Sequence, residues 1–307
     1  MSLKSATEDL VSEFRSRPTL RAGSLIVTIF GDAILPRGGA VWIGSLIRAL
    51  ADFGINERLV RTSVFRLTRD EWLKVNQVGR RSFYSLSTTG ARKFEQATLR
   101  IYGDPSQSWN GDWSLIFLSA LAGDDRENLR KELGWLGFGS LSSNVLAHPS
   151  PDASALDATL KQSGLERELV VMRAKVSSGL HDDAMRALVR KSWNLAEIDA
   201  QYEKFVRQFR PVFAAARRSR KPDQRMAFQI RMLLIQEYRR ILLRDPLLPA
   251  EMLPTGWHGT AAYQLCRNLY QIVFASADDF MSNDFETADG SLPPAEPTFY
   301  DRFGGLE

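Results

Sequence analysis

The spacing of apolar positions changes character along the chain, and each change marks a different kind of element. Residues 19 to 35, "TLRAGSLIVTIFGDAIL", are apolar enough for a buried helix closed by the loop "PRGG". In "WIGSLIRALADF", Ile43, Leu46, Ile47, Leu50 and Phe53 recur at helical spacing. Gly54 then suits the C′ position that ends a helix, and Asn56 suits the N-cap of the next. Glu57 sits in that helix's first turn, where a negative charge meets the positive end of the helix dipole. Val60, Val64 and Leu67 fall at i, i+4 and i+7 and face inward; Arg58, Thr62, Phe65 and Arg69 lie opposite, with Arg61 and Arg66 flanking. Next, "WLKVNQ" and "RSFYSLS" alternate at period two around "VGR", predicting a hairpin with Gly79 in its turn and Arg80 and Arg81 at or beside its tip.

A helical stretch, "TTGARKFEQATLRIYG", leads through the linker "DPSQS" to a second pattern. "WSLIFLSAL" reads as a strand, "DDRENLRKELGWL" as a helix, and "FGSLSSNVLAHP" as one or two short strands. "ASALDATLKQSG" adds a helix and "ERELVVMRAKV" a strand. The order βαββαβ is that of the split-βαβ, ferredoxin-like arrangement, which by itself specifies no chemistry. Small sheets of this kind often pair across a dimer, so dimerisation is expected here. From Gly179 onward the pattern is helical, broken at "DPLLPAEMLP", and the acidic "ETADGSLPPAEP" reads as a mobile tail. The predicted class is α+β, in three parts: residues 1–107, a winged helix-turn-helix; 108–178, a ferredoxin-like dimerisation domain; and 179–307, a helical domain with an acidic tail.

Composition narrows the function. At 307 residues, 44% apolar and 25% charged, the chain is that of a multidomain globular protein. It has no apolar run long enough for a membrane span, and "MSLKSATEDLVSEFRSRP" lacks the core of a secretory signal. One cysteine, Cys266, precludes an intrachain disulfide and fits a reducing cytoplasm. The net charge of +4 hides an asymmetry: residues 1–107 hold 16 Lys or Arg against 10 Asp or Glu, whereas 276–307 hold one Arg against eight acids. A basic front suggests a polyanion partner.

Helix, glycine turn, basic helix and basic hairpin together point to double-stranded DNA. Arg61, Thr62, Ser63 and Arg66 are placed to approach bases in the major groove, and Arg58 and Arg69 to hold phosphates. Arg80 and Arg81 act from the hairpin.

Enzymatic signatures are missing: there is no G-x-x-x-x-G-K-[ST], G-x-S-x-G, H-E-x-x-H or C-x-x-C. His148, His181 and His258 form no ligand motif, so neither a metal nor a cofactor is expected. Cys266 reads as a small buried apolar residue. "EYRRILLRDPLLP" places Arg239 and Arg240 one turn before Arg244, which suits either interhelix salt bridges or an anionic ligand. Trp193 and Trp257 are pocket walls or core, and Trp109 and Trp113 pack at the entry to the sheet.

"FGDAILPRGGAVWIGSLI", "VRTSVFRL" leading to "GRRSFYSLS", "WNGDW", "SWNL" and "EYRRILLRDPLLPAEMLP" together resemble the PaaX repressors of bacterial phenylacetate degradation, in order from about Thr19 to Tyr270. The resemblance implies a winged-helix domain, a middle domain like the small CRISPR adaptation endonucleases and a helical C-terminal domain. It also implies a homodimer that leaves its operator when phenylacetyl-CoA binds. A CoA thioester needs cationic groups for its phosphates and an apolar pocket for its acyl end. Arg239, Arg240 and Arg244, with Trp193 and Trp257 as walls and Arg190 and Lys191 adding charge, are the candidates for that site. Two alternatives compete with a repressor. One is an acyl-CoA-binding or acyl-CoA-processing enzyme with an accessory basic domain. The other is a metal-dependent nuclease, which needs a carboxylate at the end of the first middle strand; that strand ends in Ser119 and Ala120, with Asp112 before it.

Overall fold

A computed structural model of the chain describes residues 1–18, 22–103, 109–121, 123–149, 151–176 and 182–306. Helix α1 (Leu3–Arg15) starts at Ser2, whose hydroxyl accepts the Ser5 N–H. The apolar run beginning at Thr19 is not one helix. Residues 19–21 lie outside the described residues, and α2 (Ala22–Ile29) passes into a π turn (Phe30–Ile34) and a 3-10 turn (Leu35–Arg37). In that widened turn Gly31 lies flat on Phe94, where an added Cβ would fall 1.7 Å from the ring, while Asp32 is carried into the interior.

The strand β1 (Ala40–Trp42), which the sequence pattern does not announce, precedes α3 (Ile43–Ala51). Helix α4 (Glu57–Arg69) begins as expected: the Asn56 side-chain oxygen accepts the Leu59 N–H at 2.9 Å. Val60 and Val64 are fully buried, as their spacing requires. Strands β2 (Leu73–Val78) and β3 (Arg81–Leu86) pair antiparallel from Leu73 opposite Leu86 to Val78 opposite Arg81. That register leaves Gly79 and Arg80 as a two-residue turn, and Gly79 takes the positive φ of 60° that such a turn demands. β1 adds to the other side of β3, and α5 (Thr88–Tyr102) follows with Ser87 as its N-cap.

The middle segment runs β4 (Asp112–Phe117), α6 (Gly123–Trp135), β5 (Gly139–Ser142), β6 (Val145–His148), α7 (Ala153–Ser163) and β7 (Val170–Lys175). Its strands lie in the order β5-β6-β4-β7, all neighbours antiparallel, so β6 splits the parallel pair β4 and β5. This is the predicted ferredoxin-like topology. Trp113 and Ile116 occupy opposite faces of β4. Ile116 joins Leu118, Leu129, Leu133 and Leu146 in one buried cluster, and Trp113 joins Val189, Trp193 and Leu195 in another.

The remainder is α8 (Asp182–Ser192), α9 (Leu195–Ala216), α10 (Gln224–Leu242) and α11 (His258–Asp284), then the short pair β8 (Glu286–Thr287) and β9 (Gly290–Ser291) and a 3-10 segment, Pro297–Gly304. The acidic tail is therefore not a loose appendage. Phe285, Leu292, Phe299, Arg302, Phe303 and Leu306 are all buried, and the Glu296 N–H donates to the Pro36 carbonyl at 2.8 Å. The acids that lower the segment's mean hydropathy lie between these anchors, which is why composition alone mistakes it for a solvated tail.

Contacts divide the chain into two compact units: Met1–Asp104 with Glu203–Arg239 and Thr260–Glu307, and Pro105–Tyr202 with Arg240–Gly259. Each is discontinuous in sequence.

Candidate nucleic-acid interface and ligand groove

The outer face of α4 is strongly cationic. Arg58, Arg61, Thr62, Arg66 and Arg69 are exposed and Ser63 is half-buried. Two of these arginines are engaged locally. Arg61 binds the Glu57 carboxylate through Nε at 2.8 Å and Nη2 at 2.7 Å, and Arg69 Nε meets Asp70 at 3.1 Å. Arg58, Arg66 and the hairpin-tip Arg80 have no ion pair among the described residues. Exposed pairs such as Arg61–Glu57 contribute only about 0–1 kcal/mol, so a phosphate can displace the carboxylate at small cost.

Arg81 is held differently. Its guanidinium lies over the Trp42 ring, 4.5 Å from the centroid, and donates to Glu286 Oε2 at 2.8 Å. Arg48 covers the same ring at 5.3 Å and donates to Glu286 Oε1 at 3.1 Å and to the Asp284 carbonyl at 2.8 Å. The Ser45 hydroxyl accepts the Glu286 N–H at 3.0 Å. One carboxylate from the C-terminal segment thus sits between Arg48 of α3 and Arg81 of β3. Glu286, Arg48 and Trp42 escape a sequence reading because 205 residues separate Glu286 from Arg81 and no local pattern connects them.

The first unit also holds a buried ionic network. Asp32 Oδ2 accepts from Arg231 Nε at 2.6 Å, and Asp32 Oδ1 accepts from Tyr102 at 2.6 Å, Tyr270 at 2.9 Å and Arg302 at 3.1 Å. Asp278 pairs with both Arg231 and Arg37. Burial would raise the Asp32 carboxyl, but Arg231, Arg302 and the two tyrosine hydroxyls outweigh it and hold it below its ordinary value. Burial, reinforced by Asp32, pushes the Tyr102 hydroxyl well up. The network joins the π turn to α5, α10, α11 and the C-terminal segment, and α4 packs on α2, the helix that runs into that turn.

In the second unit a groove of about 270 Å³ is lined by Gly134, Gly137, Phe138, residues 192–194, Glu197, Ile198, Gln201, Arg244 and Pro246. Trp193, 8% exposed, forms its wall and donates Nε1–H to the Gly137 carbonyl at 2.8 Å. An added Cβ on Gly139 would strike the same indole at 2.4 Å, so this glycine is what lets the ring lie on the sheet. Arg244 is exposed at the groove, while Asn194 and Gln201 occupy the Glu197 carboxylate. The other candidate effector residues are elsewhere. Arg239 donates to the Ser24 carbonyl and hydroxyl at 3.0 Å. Arg240 is on the exposed side of α10. Trp257 packs edge-on against Tyr202, whose hydroxyl donates to Asp245 at 2.8 Å.

Among the described residues the histidines form no joint site. His148 is buried with Nε2 2.9 Å from the Pro246 carbonyl, and His258 faces Asp199 through Nδ1 at 3.1 Å; His181 lies outside the described residues. No cluster of His, Cys, Asp and Glu able to hold a metal occurs among the described residues. Asp112 is engaged by Asn110 at 3.0 Å and Lys175 at 3.4 Å. Cys266 is buried, and burial pushes its thiol well up. No helix among the described residues is long and apolar enough to cross a membrane.

Three family profiles match the chain in succession: PaaX-like protein over residues 21–90, PaaX protein central Cas2-like domain over 106–187, and PaaX-like protein C-terminal domain over 193–283. The transcriptional repressor PaaX of Escherichia coli (strain K12) is 40% identical over 286 residues, covering 92% of this chain and 90% of that protein. A solved structure, an uncharacterized protein from Mycobacterium tuberculosis, superposes with a TM-score of 0.49 at 23% identity, over 76% of this chain and 90% of its own.

Proposed function

This chain belongs to the PaaX-like protein family, and we propose on that premise that it is a cytoplasmic transcriptional repressor that binds double-stranded operator DNA. Residues 40–86 act as a winged helix-turn-helix: α3 supports, α4 enters the major groove, and the β2–β3 hairpin is the wing. The observation that carries this reading is the exposed face of α4, where Arg58 and Arg66 meet solvent without an ion pair among the described residues. An unopposed guanidinium is suited to a phosphate or to the O6 and N7 acceptors of guanine. A homodimer presents two such helices, so the operator is a partial palindrome.

The effector is phenylacetyl-CoA, and the groove beside Trp193 takes its acyl end. At about 270 Å³ it falls below the roughly 300–1,000 Å³ of pockets that enclose a drug-sized ligand, so the nucleotide end lies outside it. Arg244, at the groove, is positioned to meet negative charge. Ligand binding releases DNA to the extent that the thioester prefers the DNA-free form.

A mobility-shift experiment on the DNA upstream of the neighbouring operon tests the reading. The intact protein shifts that DNA, and phenylacetyl-CoA, but not free phenylacetate or CoA, reverses the shift. Failure to shift any upstream fragment in preference to bulk DNA contradicts it.

A further inference from the structure

Phe65 stands on the cationic face of α4 with 69% of its surface exposed. It lies one turn from Arg61, Thr62 and Arg69 and next to Arg66. An isolated apolar residue on a protein surface is ordinary; one set among Arg61, Thr62, Arg66 and Arg69, all exposed, is differently placed. Phe65 makes no ring–ring or cation–ring contact among the described residues, so no aromatic or cationic side chain there covers it. Thr62 adds to the patch. Its hydroxyl donates to the Arg58 carbonyl at 2.8 Å, which commits the polar branch of the side chain and leaves the methyl.

We propose that Phe65 is a specificity-determining residue that reads the 5-methyl group of a thymine in the major groove, with the Thr62 methyl completing the contact. This rests on the placement of α4 in that groove. In the major groove the thymine methyl is the one apolar base substituent, and an aromatic or methyl side chain is the complement it offers to recognition. The neighbouring guanidinium groups supply the phosphate and guanine contacts that fix the helix there. Docking then takes an exposed ring out of water only where a methyl lies opposite, so the discrimination is against cytosine and against any thymine lacking its methyl.

The test uses the full-length protein and the operator fragment defined by footprinting. Each thymine is replaced in turn by deoxyuridine, which removes only the methyl, and affinity is measured for the wild type, Phe65→Ala and Phe65→Leu. One position per half-site is expected to weaken wild-type binding by about fourfold, the worth of one buried carbon. Phe65→Ala should bind more weakly and be indifferent to that replacement, whereas Phe65→Leu should retain part of the sensitivity. Wild-type binding unaffected by deoxyuridine at every position overturns the assignment of Phe65 and leaves the DNA reading standing. A wild-type protein that prefers no DNA fragment overturns both. A Phe65→Ala protein that changes oligomeric state without DNA places the ring in a protein interface and also overturns the proposal.

Discussion

Arg231 Nε donates to Asp32 Oδ2 at 2.6 Å in a site where neither side chain reaches solvent. A charge in such a place is tolerated only because it is paired and hydrogen-bonded on every side, and Asp32 has four partners. Removing one member leaves the others as uncompensated buried charge. Asp32→Asn is therefore expected to cost about 3–5 kcal/mol of stability, read by denaturant titration. A loss of less than about 1 kcal/mol would mean that the network does not stabilise the fold.

The same pair sets an acid limit. The folded Asp32 carboxyl is held below its ordinary 3.8, so the unfolded chain takes up the proton first. The stabilisation is present above pH 3.8 and is lost as pH falls through the folded value. For Tyr102 the sign is opposite. Its hydroxyl is raised above 10.0, so stability held below that pH is lost as pH rises beyond it. Melting temperature measured against pH should show both limbs, and Tyr102→Phe should flatten the alkaline one. An unchanged alkaline limb would remove Tyr102 as its cause.

In the proposed DNA complex Glu286 competes with phosphate for Arg81, to which it is bonded in the free chain. Glu286→Gln keeps the shape and removes the charge, so operator binding should tighten, and the plot of log affinity against log salt should steepen by up to about one unit. Arg81→Ala should do the reverse. Salt slopes that coincide for wild type and Glu286→Gln would place Arg81 outside the phosphate contacts.

Within α4, Arg66→Ala should weaken operator binding by about 1–3 kcal/mol and relax the preference for one base pair. Arg58→Ala and Arg69→Ala should weaken all sequences alike and reduce the salt slope by about one. Competition titrations with single-base operator variants separate the two behaviours. Normal operator binding by Arg61→Ala, Arg66→Ala and Arg80→Ala would mean that α4 and the hairpin do not face the groove.

At the ligand groove, Arg244→Ala should weaken phenylacetyl-CoA binding at least tenfold without lowering the melting temperature, because Arg244 is exposed. Arg239→Ala should lower stability through loss of its bonds to Ser24 while leaving ligand affinity unchanged. The opposite outcome would move the site from Trp193 and Arg244 toward α2.

What was legible in the sequence was what local periodicity encodes. The inward spacing of Val60 and Val64, the Asn56 cap, the Gly79 turn and the split-βαβ order of the middle segment each rest on residues a few positions apart, and each appears in the structure. The π turn at Asp32, the three-residue strand β1 and the burial of Phe299 and Phe303 depend on partners far along the chain, so no window of sequence contains their cause. The candidate ligand residues divide the same way. Arg239 and Arg244 look alike in "EYRRILLRDP", yet one is committed to Ser24 and the other borders a groove, a difference set by packing alone.

The most direct test of the switch is calorimetric titration of phenylacetyl-CoA into the intact protein, once free and once saturated with operator DNA. Linkage requires that whatever factor the thioester takes from DNA affinity, DNA takes from thioester affinity. Thioester binding should be weaker in the operator complex, by the same factor by which saturating thioester weakens operator binding in a mobility shift. Equal affinity in the two titrations would contradict the switch.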